Sequence, residues 1–251
     1  MSAPTLISLP YSPWSFKARW ALGHHAIAYK SSIYLPMLGE PWLRLQTKRW
    51  RGPVTVPAWI EERLTLMDSL EIARRADALG GATPLFPDGQ GEAIDAWNAR
   101  SEALLRAGRV LTTYAVAGDR RALMESVPPP FGSVAPIAQL FGALGVRFLK
   151  RKYEMTEQLS HERDSLRRGL SELREALAGR DHLLGDDLTY ADVTMAAVFH
   201  FIAPPEAPYL KLGGPRSRVH WTKEELADEF SDLVEWRDRL LARHHPRSPR
   251  S

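Results

Sequence analysis

The stretch Thr5 to Leu22 reads T-L-I-S-L-P-Y-S-P-W-S-F-K-A-R-W-A-L and changes character at its middle. The apolar run Thr5–Leu9 predicts a short strand, whereas Phe16 to His25 has the pattern of a helix. The turn between them is the tetrapeptide S-P-W-S, Ser12 to Ser15. A strand that passes through a turn into a helix points backbone N–H groups, and the positive end of the helix dipole, at that turn. We therefore expect the turn to hold an anion.

The remainder of the chain divides into a mixed first part and a helical second part. In the first part the patterns predict a strand, a helix, a hairpin and a helix at Ala28–Leu35, Met37–Trp50, Val54–Ile60 with Leu64–Met67, and Leu70–Leu79. A segment rich in Gly and Pro, residues 81–91, reads as a linker. Beyond it the spacing predicts helices over Ile94–Tyr114, Leu159–Leu177, Thr189–Phe201 and Lys223–Arg243, with Pro128 to Pro130 ending a short segment.

The amino-acid composition limits the chemistry that the chain can perform. The chain has 251 residues, of which 44% are hydrophobic and 25% charged, the balance of a globular protein. It has no cysteine, which excludes disulfides, thiolate metal sites and a thiol nucleophile borne by the protein. Any sulfur in its chemistry must arrive with a ligand.

Charge and hydropathy indicate neither a nucleic-acid nor a membrane partner. The 33 basic and 30 acidic side chains nearly balance, and the basic cluster Arg147, Lys150, Arg151 and Lys152 is expected to be solvated, as is the tail Arg243 to Ser251. The weakly polar stretch Val134–Val146 is shorter than the roughly 20 residues of a membrane span. No signal peptide is evident, so a cytoplasmic location is expected.

Four local motifs together resemble the glutathione transferase family over essentially the whole chain. They are Ser12 to Leu22, Thr55-Val56-Pro57-Ala58-Trp59, Asp68-Ser69, and L-T-Y-A-D at Leu188 to Asp192. The resemblance implies an α/β thioredoxin-like domain that binds glutathione, residues 1–80, and an all-α domain with an electrophile pocket, residues 92–251. S-P-W-S then lies where thioredoxin-like domains have C-x-x-C, and its two hydroxyls exclude dithiol chemistry.

The second and third motifs carry the implied glutathione contacts. The resemblance implies a cis peptide at Val56-Pro57, with the Val56 N–H and C=O free to pair with the cysteinyl backbone of the tripeptide. It implies that Asp68 binds the α-ammonium of glutathione and Ser69 its α-carboxylate. Without the resemblance, Val56-Pro57 could equally form a trans turn, and Asp68-Ser69 reads as an ordinary helix cap.

The fourth motif has a structural role. Thr189 as N-cap and Asp192 three residues later predict an acidic variant of the capping box. Removing it should cost about 0.5–2 kcal/mol of folding free energy.

The implied catalytic group is a hydroxyl that stabilises the thiolate of glutathione. Ser12 is the first choice, and Tyr11 and Ser15 are alternatives; Trp14 would flank the ligand or pack against a neighbouring subunit. The expected electrophile pocket contains the aromatic side chains Tyr114, Phe141, Phe148 and Tyr153, although aromatic residues at helical spacing are more often core. The hairpin turn at Glu61-Glu62-Arg63 lacks the glycine common in relatives.

Two functions of different classes follow. The first is a glutathione transferase that acts on a hydrophobic electrophile as a homodimer, with glutathione as co-substrate. The second is a non-catalytic interaction or assembly module on the same scaffold. The histidines form no H-E-x-x-H motif, so no metal is expected, and His200 is expected in the core.

Overall fold

The computed structural model describes residues 3–36, 38–127, 135–210 and 212–246. The chain divides into two compact units, one of residues 1–99, 180–197 and 239–251, the other of residues 100–179 and 198–238. The predicted segment Pro128 to Pro130 lies outside the described residues. The linear boundaries proposed from the sequence, at 80 and 92, stay a prediction.

The strands of the first unit form one four-stranded sheet in the order β2-β1-β3-β4. They are β1 (Thr5–Ser8), β2 (Lys30–Ile33), β3 (Ala58–Ile60) and β4 (Thr65–Leu66). Strand β1 runs parallel to β2 and antiparallel to β3, which forms the predicted hairpin with β4. The β-α-β start and the hairpin predicted from the sequence are confirmed, with strands shorter than expected.

The helices follow the predicted order with several corrections. They are α1 (Pro13–His24), α2 (Glu40–Thr47), α3 (Ser69–Leu79), α4 (Gly91–Ala117), α5 (Arg120–Glu125), α6 (Ala135–Lys152), α7 (Leu159–Leu177), α8 (Tyr190–Ala196), a 3-10 turn (Ala197–Phe201), α9 (Pro215–Trp221), α10 (Glu224–Glu229) and α11 (Ser231–His244). In these described parts of the chain, no helix combines the length and apolar character that crossing a membrane requires.

Several predicted helix boundaries are wrong; the helix expected over Met37–Trp50, for example, covers only Glu40–Thr47. Helix α1 begins at Pro13 rather than Phe16, because proline has no N–H to lose at a first helical position and its φ is already helical. The single helix expected from Lys223 to Arg243 is two helices, since the fully buried Phe230 adopts φ −116° and ψ 37° between them.

In the second unit α7 carries the predicted leucine stripe. Its inward face consists of four buried leucines at helical spacing: Leu166, Leu170, Leu173 and Leu177. On its outward face, Arg167 forms an ion pair with Glu229 and Arg174 forms one with Asp232. Exposed pairs of this kind contribute about 0–1 kcal/mol each, so the leucines dominate the packing.

The last described residues pack on α1 within the first unit. The ring of His245 stacks on Phe16 at 5.1 Å between centroids and meets Trp20 edge-on at 5.1 Å. Arg243 pairs with Asp181 at 2.9 Å. The expectation of a solvated tail holds for the exposed Arg243 but is wrong for residues 244–246, because His245 packs on an aromatic surface that the local sequence cannot reveal.

This packing predicts an acid-sensitive contribution to stability. Burial lowers the pKa of His245 from 6.5 to about 4. Between pH 6.5 and 4 this histidine is protonated in the unfolded chain but neutral in the folded chain. The free energy of unfolding therefore falls as the pH drops from 6.5 towards 4. His245→Phe should keep the stack and remove roughly 2–3 kcal/mol of that acid sensitivity in urea titrations at several pH values. His161→Gln, which changes an exposed histidine, is the control; an unchanged pH profile in His245→Phe would refute the assignment.

Candidate functional site

The sheet register brings three of the predicted motifs to one end of the strands. We call this end, where β1 and β4 end and β3 begins, the sheet edge. Strand β1 leads out towards Ser12 at the edge where β3 begins after Pro57, since Ile7 pairs with Ala58 in the antiparallel ladder. Strand β4 ends at the same edge, because Trp59 pairs with Leu66, and Asp68 follows two residues later. The S-P-W-S turn, the Val56-Pro57 step and the Asp68-Ser69 pair therefore share this edge.

Packing beneath the edge supports the register. One apolar cluster, which includes buried Ile7 and Ala58, also contacts the partly buried side chains of Leu9, Val56 and Met67. Val56 lies within its motif, Met67 directly precedes Asp68, and Leu9 lies three residues before Ser12. A hydrogen bond from the Thr55 hydroxyl to the Met67 carbonyl, 3.2 Å, joins two of the segments directly.

Ser12 is the N-cap of α1. Its backbone is extended, with φ −77° and ψ 127°, and its Oγ accepts a hydrogen bond from the Ser15 N–H at 3.4 Å. Because the oxygen serves as acceptor in the cap, the hydroxyl proton of Ser12 stays available for donation. The positive end of the α1 dipole lies at the same point.

The alternatives to Ser12 are placed differently. Ser15 is fully buried, and its Oγ accepts a hydrogen bond from the Leu9 N–H at 3.1 Å, so it stabilises the turn from inside. Tyr11 is half-buried within the turn, and Trp14 is half-buried in the first turn of α1. Of the two serines, Ser12 is the one whose Oγ caps α1.

Arg19, which the sequence reasoning missed, holds the turn in place. Its guanidinium donates to the carbonyls of Leu9 at 3.1 Å and Pro10 at 2.9 Å. Burial lowers the pKa of this arginine, and Tyr29 partly opposes the effect. The sequence did contain an indication of this role. Arg19 follows Ser12 by seven residues, or two helical turns, and helical side chains point towards the N-terminus, so its guanidinium can reach the turn.

The Val56-Pro57 peptide bond is cis, so the alternative of a trans turn is wrong. Pro57 and Ala58 are buried at the start of β3. The N–H and C=O of Val56 form no hydrogen bond with other residues in the described parts of the chain. Both groups are thus available to an extended partner.

Asp68 is indeed a helix cap, as the plain reading of the sequence had it. Its Oδ1 accepts from the N–H groups of Leu70 at 2.8 Å and Glu71 at 3.2 Å. Ser69, in contrast, is 2% exposed, and its Oγ has no hydrogen-bond partner among the described residues. A buried hydroxyl without a partner at a helix start is uncommon enough to need an explanation.

The Glu61-Glu62-Arg63 turn closes without glycine. The Glu61 N–H donates to the Leu64 carbonyl at 2.8 Å. The Glu61 carboxylate accepts from Arg75, at 2.9 and 2.7 Å, and from the Trp59 indole at 2.7 Å. A cavity of about 380 Å³ opens beside this turn, lined in part by Thr5 and Lys48, at the opposite edge of the sheet from Ser12.

The four expected pocket aromatics all lie in the second unit. Lys150 places its Nζ 3.5 Å from the ring centroid of Tyr114, and Arg109 lies 3.6 Å over the ring of Tyr153. Phe141 and Phe148 are half-buried on α6. Lys150, expected to be solvated, is instead partly covered by an aromatic ring.

The L-T-Y-A-D motif forms the predicted capping box at the start of α8. Asp192 is fully buried, and its carboxylate accepts from the Thr189 N–H at 2.9 Å, the Thr189 hydroxyl at 3.1 Å and the Leu183 N–H at 2.8 Å. Burial raises the pKa of Asp192, while the hydrogen bonds from Thr189 and Leu183 act against this rise. His200 is in the core, 1% exposed.

No metal centre is evident in the described ranges, where no group of three or more histidine and carboxylate side chains is arranged to hold an ion. The polar groups at the sheet edge are instead hydroxyls, backbone amides and one carboxylate. These suit an organic zwitterion better than a cation.

Comparison with solved structures places this architecture among known ones. A glutathione S-transferase from Methylobacterium radiotolerans, solved with glutathione sulfonate, is 18% identical, with a TM-score of 0.61 over 100% of this chain and 98% of that chain. A glutathione transferase from Phanerochaete chrysosporium is 16% identical, with a TM-score of 0.64 over 96% and 97%. A beta-etherase from a Sphingobium strain is 17% identical, with a TM-score of 0.63 over 96% of each chain. These likenesses are likenesses of fold.

Two family models show to which protein family the chain belongs. A comparison with curated proteins gives no match. The model of the glutathione S-transferase N-terminal domain matches residues 11–79, and that of the C-terminal domain matches residues 156–239, together more than half of the chain. The first match contains the S-P-W-S turn, Val56-Pro57 and Asp68-Ser69, and the second contains the capping box. The chain is therefore a member of the glutathione S-transferase family.

Proposed function

We propose that the chain binds glutathione along the sheet edge formed by Ser12, Val56-Pro57 and Asp68-Ser69 and catalyses its attack on a hydrophobic electrophile. The convergence of these three motifs at one edge is the observation that carries the proposal. Glutathione S-transferases of similar fold have been solved with glutathione bound.

The backbone of Val56 would fix the register of the tripeptide. Its N–H and C=O make no hydrogen bond to other described residues. An extended cysteinyl residue can pair with both groups as an added strand does. Two backbone hydrogen bonds place the thiol at a defined distance along the edge.

The γ-glutamyl end would lie at the start of α3. Asp68 uses only Oδ1 for its cap, so Oδ2 can accept from the α-ammonium. The buried Ser69 hydroxyl, which has no partner among the described residues, can donate to the α-carboxylate together with the Ser69 N–H. This arrangement explains an otherwise costly orphan hydroxyl.

The thiol would then meet Ser12. A thiol of ordinary pKa, about 8.5, is only a few per cent ionised at pH 7, and a donated hydrogen bond plus the α1 dipole favour the thiolate. Complete ionisation is worth at most about 30-fold in rate, or 2 kcal/mol. The remaining acceleration must come from holding the two reactants together.

The electrophile pocket is proposed at Tyr114, Phe141, Phe148 and Tyr153, and Trp14 is proposed beside the glutathione. A cytoplasmic homodimer is proposed from the family membership. A non-catalytic interaction module is the second candidate, because the fold alone does not fix activity.

Calorimetric titration with glutathione, followed by a conjugation assay with a generic aryl halide, separates these candidates. Binding with turnover supports the transferase. Binding without turnover, across several electrophile classes, would favour the interaction module. The absence of glutathione binding would contradict both the site and the activity.

Replacing Arg19 tests how the turn is held. Arg19→Lys keeps the charge but cannot span the Leu9 and Pro10 carbonyls, so Ser12 should lose its position. We expect kcat/KM to fall about tenfold with little change in the glutathione Kd, since misplacement of a catalytic group by about 1 Å can cost up to 100-fold. Arg44→Lys is the matched control, because Arg44 also donates to two carbonyls, those of Arg49 and Gly52. Equal losses in both variants would contradict a specific role for Arg19.

A further inference from the structure

Two rings of the proposed electrophile pocket each have a cation against one face. The Lys150 Nζ lies 3.5 Å from the ring centroid of Tyr114, and the central guanidinium carbon of Arg109 lies 3.6 Å from that of Tyr153. Both distances are well within the roughly 6 Å at which a cation and a ring attract each other. A neutral aromatic substrate therefore cannot stack on either of these faces.

The two pairs connect the same two parts of the second unit in opposite directions. Helix α4 contributes Arg109 and Tyr114, whereas Lys150 comes from the last turn of α6 and Tyr153 directly follows that helix. Each segment thus gives one cation and one ring to the other. This reciprocal arrangement places both positive charges at the contact between α4 and the end of α6.

Arg109 carries its charge in a poorly hydrated position. Burial lowers the pKa of this arginine, while Tyr153 and Glu102 act against the effect and Arg106 adds to it. The guanidinium stays charged even so, because an arginine side chain is not deprotonated in proteins. A substrate anion bound beside it would recover part of the lost hydration energy.

Lys150 is half-buried and keeps its ammonium protons available. Its Nζ forms no hydrogen bond or ion pair with other residues in the described parts of the chain. The neighbouring sequence does not neutralise it, because residues 141–154 contain four basic side chains against the single acid Glu154, a net charge of +3. The second cation of the pocket is therefore also open to an anion.

We propose, on the basis of the transferase function above, that the electrophile is an aromatic compound with a carboxylate whose charge Lys150 and Arg109 stabilise. Ammonium and guanidinium groups are the side chains with which proteins bind carboxylates. A wholly apolar electrophile would cover both cations without supplying a counter-charge, which costs free energy. The two lysine and arginine side chains thus narrow the substrate class from any hydrophobic electrophile to an anionic one.

A matched pair of electrophiles tests this preference on the full chain: chlorodinitrobenzoate, whose carboxylate lies para to the chlorine, and its methyl ester. In both, the glutathione thiolate adds at the carbon that bears chlorine and chloride leaves. Each kcat/KM is divided by the rate constant of the uncatalysed reaction, because the ester activates the ring more strongly. We expect the normalised value to be about tenfold higher for the carboxylate. Equal values, or a preference for the ester, would overturn the proposal.

Equilibrium binding separates this inference from the transferase activity. The glutathione conjugates of the two compounds, prepared without enzyme, should differ in Kd by about tenfold in favour of the carboxylate. That difference without turnover of either electrophile would contradict the transferase and support the carboxylate site. Turnover of both electrophiles with equal Kd values would contradict the carboxylate site and leave the transferase.

Variants assign the preference to the two cations. Lys150→Met keeps the apolar length of the side chain and removes its charge, so the ratio of the two normalised kcat/KM values should fall about threefold. Adding Arg109→Met should remove the remaining preference, and Lys150→Arg should keep it. Arg151→Met is the matched control, because Arg151 is exposed in the same turn of α6. Circular dichroism and glutathione titration verify that each variant is folded. An equal fall in Lys150→Met and Arg151→Met would show a general effect of charge and overturn the assignment.

Discussion

Ser12→Ala is expected to lower kcat/KM for conjugation of an aryl halide by roughly 10- to 30-fold at pH 7, with the glutathione Kd changed by less than about threefold. The Ser12 hydroxyl lies at the N-terminus of α1, and its loss would remove the hydrogen bond that we propose it donates to the thiolate. The pKa of bound glutathione, followed by the ultraviolet absorbance of the thiolate, should rise towards that of free thiol. The difference between native and variant rates should therefore shrink at high pH.

Ser15→Ala is the matched control for this experiment. Ser15 lies in the same turn, but its Oγ accepts from the Leu9 N–H and is buried. It should reduce stability without changing the thiol pKa. Ser12→Thr should restore activity, because threonine keeps both the cap and the donor. An unchanged thiol pKa in Ser12→Ala would transfer the role to Tyr11 or to backbone amides.

Asp192→Ala is expected to cost about 3–5 kcal/mol of unfolding free energy, more than the 0.5–2 kcal/mol expected from the sequence for this capping box. Three donors would lose their acceptor, namely the N–H groups of Thr189 and Leu183 and the Thr189 hydroxyl. All of these hydrogen bonds are buried, so water cannot replace the carboxylate without opening the structure.

Urea denaturation of native and variant chains measures this cost directly. Asp192→Asn, which keeps an acceptor oxygen, should lose less than the alanine variant. Asp119→Asn changes the half-buried cap of α5, which likewise accepts two backbone N–H groups and also pairs with Arg216 and His220, and it serves as a comparison. A loss below about 1 kcal/mol in Asp192→Ala would show that the buried capping box does not carry the stability assigned to it.

Features encoded by local pattern could be predicted from the sequence. The strand-turn-helix start and the hairpin each depend on residues adjacent in the chain, and both are confirmed. The capping box follows the same logic, since Thr189 and Asp192 are one helical turn apart. The cis peptide before Pro57 is also confirmed, but it was implied by the family resemblance, since the residues alone left a trans turn equally open.

Features that depend on distant contacts were missed. The break at Phe230 occurs within a continuous helical pattern and reflects burial of that ring rather than a local breaker. The stacking of His245 on Phe16 joins opposite ends of the chain. Arg19 was overlooked for another reason, because an arginine on an amphipathic helix normally reads as a solvated side chain.

A glutathione titration followed by backbone amide chemical shifts tests the central claim most directly. Saturable shifts at Ser12, Val56 and Ser69, all fitting one Kd, are the predicted result. The three amides should respond together because they border one bound tripeptide. Shifts confined to other parts of the chain, or no saturable shift at millimolar glutathione, would contradict the proposal that this sheet edge is the glutathione site.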